Sequence, residues 1–206
     1  KGEYEKALEY FQKSFEIRKI VYAENLNHPD IASSLNNIGN VYYEKDDFDK
    51  ALEYYQKSYE IKKIVYADNP NHPDISTSFY NIGNIKYIKG EYDKALEYFE
   101  RSYELRKIVY ADNLNHPGMA TLLNNIGNVY YDKKNFDKAL DYYQKSYVIS
   151  KIVYADNPNH PDIATSLDNI GNVYFKKDDK IKAFEYYEKS YEIRKITYAN
   201  NPNHPN

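Results

Sequence analysis

The sequence contains no cysteine among its 206 residues, which excludes disulfides, thiolate nucleophiles and zinc–thiolate sites. No apolar run approaches the roughly 20 residues that a membrane helix needs, and no charged-then-apolar leader opens the chain. The net charge of -3 does not favour nucleic-acid binding. There is also no glycine-rich phosphate loop and no serine with plausible histidine and aspartate partners. We therefore predict a cytoplasmic binding protein that is not an enzyme and uses no cofactor, metal, nucleic acid or membrane.

What the sequence does contain is an internal repeat of 44 residues. Four glycines keep this spacing, at Gly39, Gly83, Gly127 and Gly171. Five Asn-His-Pro phrases keep it as well, with their histidines at His28, His72, His116, His160 and His204. A period of this length is typical of solenoids, in which each unit is too small to bury its own apolar face and must stack on its neighbours.

Each repeat contains two helical patterns joined by a short link. In the first repeat, apolar residues recur every three to four positions from Asp30 to Lys45 and again from about Asp47 to Ala67. Pro29 suits the first turn of a helix, because its missing N–H would be unpaired there. The three-residue link at 45–47 requires an antiparallel hairpin.

The glycine inside each first helix costs about 1 kcal/mol relative to alanine. Because it recurs at one phase in four repeats, we predict that a side chain at Gly39 would collide with the partner helix. Ala51 and its equivalents are predicted to form the facing surface.

This pattern resembles the tetratricopeptide repeat, whose packing pattern is matched by Leu35, Ile38, Gly39, Tyr42, Phe48, Ala51 and Tyr55. The long second helix followed by His-Pro-Asp resembles the kinesin-light-chain class. The resemblance implies an all-α fold, a right-handed superhelical solenoid of antiparallel helix pairs with a concave face that binds peptides. The phase of the repeat predicts nine helices. Lys180 replaces the aromatic residue at the position of Phe48, so we expect looser packing in the last repeat.

The phase also predicts a single array over residues 1–206 that is truncated at both ends. A lone second helix occupies residues 1–28, and helix-pair repeats follow at 29–72, 73–116, 117–160 and 161–204. Because the opening helix lacks its hairpin mate, we expect exposed apolar surface there. Such a surface predicts either end-to-end stacking between molecules or a longer parent protein.

One face of each first helix carries asparagines and an aromatic residue at spacings of three and four positions. A carboxamide offers one donor group and one acceptor to a peptide backbone, and an aromatic ring offers apolar contact area. We predict that this face lines the concave groove and binds a peptide through Asn36, Asn37, Asn40, Tyr43, Tyr80, Asn81, Asn84, Tyr87, Asn124, Asn125, Asn128, Tyr131, Asp168, Asn169, Asn172 and Phe175. The alternative is structural, with an asparagine column that hydrogen-bonds between adjacent helices and keeps the stack in register.

Two other recurring features have simpler interpretations. Successive His-Pro-Asp phrases should lie about 10 Å apart on stacked helices, so we interpret them as helix starts rather than metal ligands. One basic pair per repeat is interpreted as a solvated face, with a stripe for an anionic partner as the alternative. The pairs are Arg18-Lys19, Lys62-Lys63, Arg106-Lys107 and Arg194-Lys195, interrupted by Ser150-Lys151.

The predicted function is a protein–protein interaction scaffold that binds an extended peptide in its concave groove. The groove is more apolar in the middle and more acidic at its flanks, which favours a peptide with a central hydrophobic residue and basic flanks. A structural module that self-assembles end to end through its terminal helices is the alternative function.

Overall fold

The computed structural model describes the backbone of residues 2–199 and the side chains of residues 2–197. Over this range the chain forms nine α-helices and no strand. They are α1 (Gly2–Val21), α2 (Pro29–Glu44), α3 (Phe48–Val65), α4 (Pro73–Ile88), α5 (Tyr92–Val109), α6 (Pro117–Asp132), α7 (Phe136–Val153), α8 (Pro161–Lys176) and α9 (Lys180–Ala199). The predicted fold class, an all-α solenoid of tetratricopeptide-like helix pairs, is confirmed. The end of the last predicted repeat lies outside the described residues.

The chain divides into two compact units, residues 1–109 and residues 110–206. Unit 1 contains α1 and the helix pairs α2/α3 and α4/α5. Unit 2 contains the pairs α6/α7 and α8/α9. The single array over the whole chain and its repeat boundaries stay predictions.

The two helices of a pair are antiparallel, as the short link between them requires. Near the link, the Tyr55 hydroxyl of α3 donates a 2.8 Å hydrogen bond to Asn40 Oδ1 of α2. Further along α3, Ser58 Oγ donates to the carbonyl oxygen of Ala32, at 2.7 Å. Contacts therefore move back along α2 as they move forward along α3.

The glycine of each first helix lies against an aromatic ring of its partner helix. A Cβ added at Gly39 would lie 2.8 Å from Tyr55 Cδ1, and one added at Gly127 would lie 2.6 Å from Tyr143 Cδ1. The predicted collision is confirmed. The tyrosine ring is the nearest part of the facing surface, and Ala51 contributes its carbonyl oxygen, 3.4 Å from the added Cβ at Gly39.

The described histidines begin the first helices. Each is the N-cap residue, and its Nδ1 accepts a hydrogen bond of 3.0–3.2 Å from the backbone N–H two positions on. Each imidazole also stacks on a tyrosine that follows the preceding helix, with ring centroids 3.5–4.0 Å apart. The helix-start interpretation is confirmed for His28, His72, His116 and His160, whereas His204 lies outside the described residues.

Replacing Gly127 by alanine is expected to lower the free energy of unfolding by about 1 kcal/mol. Overpacking against Tyr143 costs about 1–3 kcal/mol, which exceeds the gain of about 1 kcal/mol in helix propensity. The change in the free energy of unfolding is measured by denaturant titration, with unfolding monitored by circular dichroism. Gly2→Ala is the matched control, because a Cβ there meets nothing within 4 Å. A stabilised Gly127→Ala variant would contradict the close-approach account.

Candidate functional site

The predicted site residues lie on α2 and α4 in unit 1 and on α6 and α8 in unit 2. We call each group an amide surface. The amide surface of unit 1 consists of Asn36, Asn37, Asn40, Tyr43, Tyr80, Asn81, Asn84 and Tyr87. The amide surface of unit 2 consists of Asn124, Asn125, Asn128, Tyr131, Asp168, Asn169, Asn172 and Phe175.

Carboxamide pairs connect neighbouring first helices within each unit. Asn81 Nδ2 donates to Asn36 Oδ1 at 3.0 Å, which joins α4 to α2. The equivalent bond in unit 2 runs from Asn169 Nδ2 to Asn124 Oδ1, at 2.8 Å. The structure therefore brings these residues together, and it gives Asn81 and Asn169 the register-keeping role that the sequence left as an alternative.

A second set of asparagines, in both units, is held by tyrosine hydroxyls. Three tyrosine hydroxyls each donate a 2.8 Å bond to an asparagine Oδ1, in the pairs Tyr55–Asn40, Tyr143–Asn128 and Tyr187–Asn172. Burial, followed by the nearby Tyr43 and Glu44, raises the pKa of Tyr55 well above its usual value, so the hydroxyl stays a donor. The oxygen of each asparagine is thus occupied, whereas its Nδ2 group makes no hydrogen bond to another described residue.

Aromatic rings border the asparagines. Tyr43 packs edge-on against Phe48 with centroids 5.8 Å apart, and Tyr131 packs against Phe136 at 5.6 Å. In the last repeat, where Lys180 replaces the partner ring, Phe175 is 54% exposed. The looser packing expected from this substitution stays a prediction.

The site position that varies most between repeats comprises residues 36, 80, 124 and 168. In two repeats its side chain contacts a cation of the second helix. The ring of Tyr80 lies 5.0 Å from the Arg106 guanidinium carbon. Asp168 instead accepts a 2.5 Å ion-pair contact from Arg194 Nη1. The negative charge of Asp168 is therefore already paired with a cation of the same chain.

The first residue of two basic pairs does not lie on a solvated face. Lys62 is only 4% exposed and Arg106 only 8% exposed, whereas Lys63 and Lys107 are exposed. The solvated-face interpretation is therefore wrong for Lys62 and Arg106, while Arg18 and Arg194 are half-buried. We call the register position of this first residue the interior cation position, which comprises residues 18, 62, 106, 150 and 194.

The sequence does carry a signal for this position. Lys62 follows Ser58 by four residues and so continues the buried stripe of the second helix, in which Ala51, Tyr55 and Ser58 are all buried. The prediction went wrong because lysine was assigned to the surface by its polarity, although its position in the helix places it on the buried face.

Arg18 and Lys62 contact polar atoms of the next first helix, whereas Arg106 Nε donates to Ser76 Oγ of its own pair at 3.1 Å. Arg18 Nη1 donates to the carbonyl oxygen of Asp30 at 2.8 Å and to Ser34 Oγ at 2.7 Å. Lys62 Nζ has a longer, 3.4 Å contact to Ser78 Oγ. Burial lowers the pKa of Lys62, and the charge of Asp74 opposes this shift only in part.

Two apolar clefts in unit 1 were not predicted. They have volumes of about 780 and 560 Å³ and are lined by equivalent residues of successive repeats, such as Tyr59 with Ile75 and Phe15 with Ile31. Exposed apolar surface was expected on the opening helix, which carries Phe15, but not at Tyr59. The partial exposure of these two rings depends on how closely successive second helices approach, which periodicity does not specify.

Stacked antiparallel helix pairs with a repeated polar surface define a protein-interaction scaffold. One tetratricopeptide repeat model matches residues 1–64 and 118–196, and a second matches residues 76–108. The chain belongs to the tetratricopeptide repeat family, a class of non-enzymatic scaffolds. A search of the curated proteins finds no match to the sequence. Among residues 2–199, no helix combines the length and apolar character of a membrane span.

Solved structures with the same fold include kinesin-light-chain-like proteins, as the repeat pattern predicted. BtubC (BKLC) from P. vanneervenii is 23% identical, with a TM-score of 0.78 over 100% of this chain and 77% of that chain. A putative kinesin light chain from Podosopora anserina is 17% identical, with a TM-score of 0.73 over 96% and 90%. The Rap conjugation gene regulator of plasmid pLS20, in complex with the Phr* peptide, is 21% identical, with a TM-score of 0.70 over 95% and 50%.

Replacing the buried Lys62 by methionine is expected to raise the free energy of unfolding at pH 7 by an amount on the order of 1 kcal/mol. Burial disfavours the charged form in the folded state, so the penalty is present at neutral pH. It declines as the pH rises towards the ordinary lysine pKa of 10.5. Denaturant titrations at pH 7 and pH 10 measure the gain, which should shrink at pH 10.

Lys63→Met is the matched control for this prediction, because Lys63 is exposed in an ion pair with Glu60. Its effect should stay within about 0.5 kcal/mol. A Lys62→Met variant that is less stable than the wild type at pH 7 would contradict the prediction and indicate that the buried ammonium is stabilising.

Proposed function

We propose that the amide surfaces bind an extended segment of a partner protein. The observation that carries the proposal is the fixed orientation of three asparagines, Asn40 in unit 1 and Asn128 and Asn172 in unit 2. A tyrosine hydroxyl holds the oxygen of each carboxamide, while the NH₂ group stays available to an added carbonyl acceptor. A side chain that is already fixed loses little conformational entropy on binding.

The repeat spacing suits an extended peptide. Packed helices lie about 10 Å apart, and an extended chain advances about 3.3–3.6 Å per residue. One repeat therefore spans about three peptide residues, so that carbonyl groups recur in step with the asparagines. The half-buried Tyr43 and Tyr131 and the exposed Phe175 supply apolar area beside the asparagines.

The fold likeness supports the same proposal. Tetratricopeptide repeats bind proteins and peptides, and the Rap regulator that shares the fold was solved in complex with a peptide. The extension of the two amide surfaces into one concave groove along the array is part of the proposal.

The tyrosine–asparagine hydrogen bond can be removed by replacing either partner, and comparing the two replacements separates effects on ligand binding from effects on stability. A peptide selected from an array is titrated into the double variants Asn40→Ala/Asn128→Ala and Tyr55→Phe/Tyr143→Phe. Each double variant removes the same two internal bonds, so each should lose about 1–3 kcal/mol of unfolding free energy. Only the asparagine variant also removes the donors, so its peptide affinity should fall about tenfold, measured by isothermal titration calorimetry.

The tyrosine variant is the matched control and should keep its affinity within about threefold, since a change of 1.4 kcal/mol corresponds to a factor of ten. Equal losses of affinity in the two variants would indicate that the asparagines act only through stability. An unchanged affinity in the asparagine variant would show that the ligand does not use these amides.

A second candidate function is end-to-end self-association. Helix α9 exposes large apolar side chains, with Ile181 77% exposed and Phe184 67% exposed. The equivalent of Phe184 in α7 is Leu140, which is half-buried. A contiguous exposed apolar face marks an interaction site, and a second copy of the chain could cover it.

Sedimentation equilibrium tests this candidate. The wild-type chain should show a concentration-dependent increase in mass, and Phe184→Glu should weaken self-association at least tenfold by burying an unpaired charge. Lys189→Gln, on an exposed position of the same helix, changes the net charge by the same one unit and controls for it. A wild-type chain that stays monomeric at the highest concentration reached would exclude stacking.

A further inference from the structure

The interior cation position is interrupted once. Four of the five second helices carry a long cationic side chain there, at Arg18, Lys62, Arg106 and Arg194, whereas α7 carries Ser150. Ser150 is only 1% exposed, so the short side chain lies in the interior and not at the surface. The substitution removes a charge and most of a side-chain volume from unit 2.

A polar cavity of about 210 Å³ lies at this place, between α6, α7 and α8. Ser146, Ser150 and Ser166 line it and are themselves buried. Thr121, Thr165 and Asp162 also line it and are exposed, so they form its mouth. This volume accommodates a guanidinium group, and every residue that lines the cavity belongs to the described part of the chain.

The cavity keeps the acceptors that an arginine uses elsewhere in the same chain. Three repeats earlier, Arg18 binds the carbonyl oxygen of Asp30 and Ser34 Oγ. The equivalent residues in unit 2 are Asp162 and Ser166, and both line the cavity.

The local geometry of these acceptors is also the same. Ser166 Oγ donates to the carbonyl oxygen of Asp162 at 3.0 Å, and Ser34 Oγ donates to that of Asp30 at 3.1 Å. Unit 2 thus contains the acceptor pair of an internal arginine without the arginine.

The charge at the mouth favours a cation. Asp162 contributes a carboxylate, whose Oδ2 accepts a 2.9 Å hydrogen bond from the Tyr154 hydroxyl. His160 Nδ1 lies 3.8 Å from the same oxygen. None of the residues lining the cavity is lysine or arginine. The negative charge therefore faces an opening that contains no compensating cation of its own.

The mouth of the cavity adjoins the amide surface of unit 2. Asn124 lines the cavity and is a member of that surface. Thr121 precedes Asn124 by three residues and Asn125 by four, so the three share one side of α6. A peptide bound along the asparagines would pass directly over the opening.

We propose that this cavity binds an arginine side chain of the peptide ligand, which occupies the place of the internal arginines in the other repeats. The proposal rests on the proposed function of the amide surface and adds a residue-level specificity to it. The planar guanidinium matches the carbonyl and hydroxyl acceptors that Arg18 uses. Lysine presents a single, more strongly hydrated ammonium and fits the same acceptors less well.

The test titrates the whole chain with N-acetyl-arginine-N′-methylamide and records backbone amide shifts by nuclear magnetic resonance. Saturable shifts should be confined to the region of Ser146, Ser150 and Ser166. The lysine analogue should bind at least about fivefold more weakly, and the norleucine analogue should cause no saturable shift. No saturable shift with the arginine analogue would overturn the proposal.

Ser150→Arg should fill the cavity from within. Saturable binding of the arginine analogue should disappear, and Tm should rise by about 2–4 °C as the internal arginine binds its acceptors. Lys151→Arg is the matched control, because it adds an arginine to the exposed neighbouring position and should change neither quantity. Persistent binding in Ser150→Arg would place the analogue elsewhere and overturn the proposal.

A second variant tests the charge at the mouth. Asp162→Asn keeps the shape of the mouth and should weaken binding of the arginine analogue several-fold. If Ser150→Arg does not fold, the Asp162→Asn variant and the wild-type titration decide the proposal. If a selected peptide binds through Asn128 while the arginine analogue does not bind, only the pocket proposal fails. If the analogue binds and no peptide does, the proposed function fails.

Discussion

The close approach of the two helices in each pair is the constraint on which the other features depend. Because Gly39 and its equivalents have no side chain, the ring of Tyr55 or its counterpart lies directly against the first helix. That approach places the tyrosine hydroxyl 2.8 Å from Asn40 Oδ1 and Ser58 Oγ 2.7 Å from the carbonyl oxygen of Ala32. One missing Cβ per repeat thus sets the helix spacing, and in the three pairs whose ring is a tyrosine it also fixes the orientation of a surface asparagine.

The fold was largely predictable from the sequence, because it depends on local and periodic signals. The first helix was expected over Asp30 to Lys45 and is observed over Pro29–Glu44, and the second was expected over Asp47 to Ala67 and is observed over Phe48–Val65. Proline and the capping histidine define the start of each first helix, while a turn of only a few residues fixes the antiparallel pairing. These signals act within a few positions of one another and recur in every repeat.

The contacts of the candidate site were less predictable. The bond between Tyr55 and Asn40 joins residues 15 positions apart on two helices. It depends on the Tyr55 ring lying against Gly39, where the sequence pattern predicted Ala51. The buried Lys62 was missed because a lysine is ordinarily a surface residue, and only the helical register reveals that it lies inside. The cavity at Ser150 follows from the same helical register, because a small residue there leaves unused the acceptor pair whose equivalents bind Arg18.

The central claim is that asparagine side chains, held in place by tyrosine hydroxyls, donate hydrogen bonds to a bound peptide. The most direct measurement follows the side-chain NH₂ resonances of Asn40 and Asn128 by nuclear magnetic resonance while a selected peptide is added. The account predicts that both resonances shift saturably and that their hydrogens exchange more slowly in the complex. Unchanged asparagine resonances, with shifts confined to the apolar clefts lined by Phe15 and Tyr59, would contradict it.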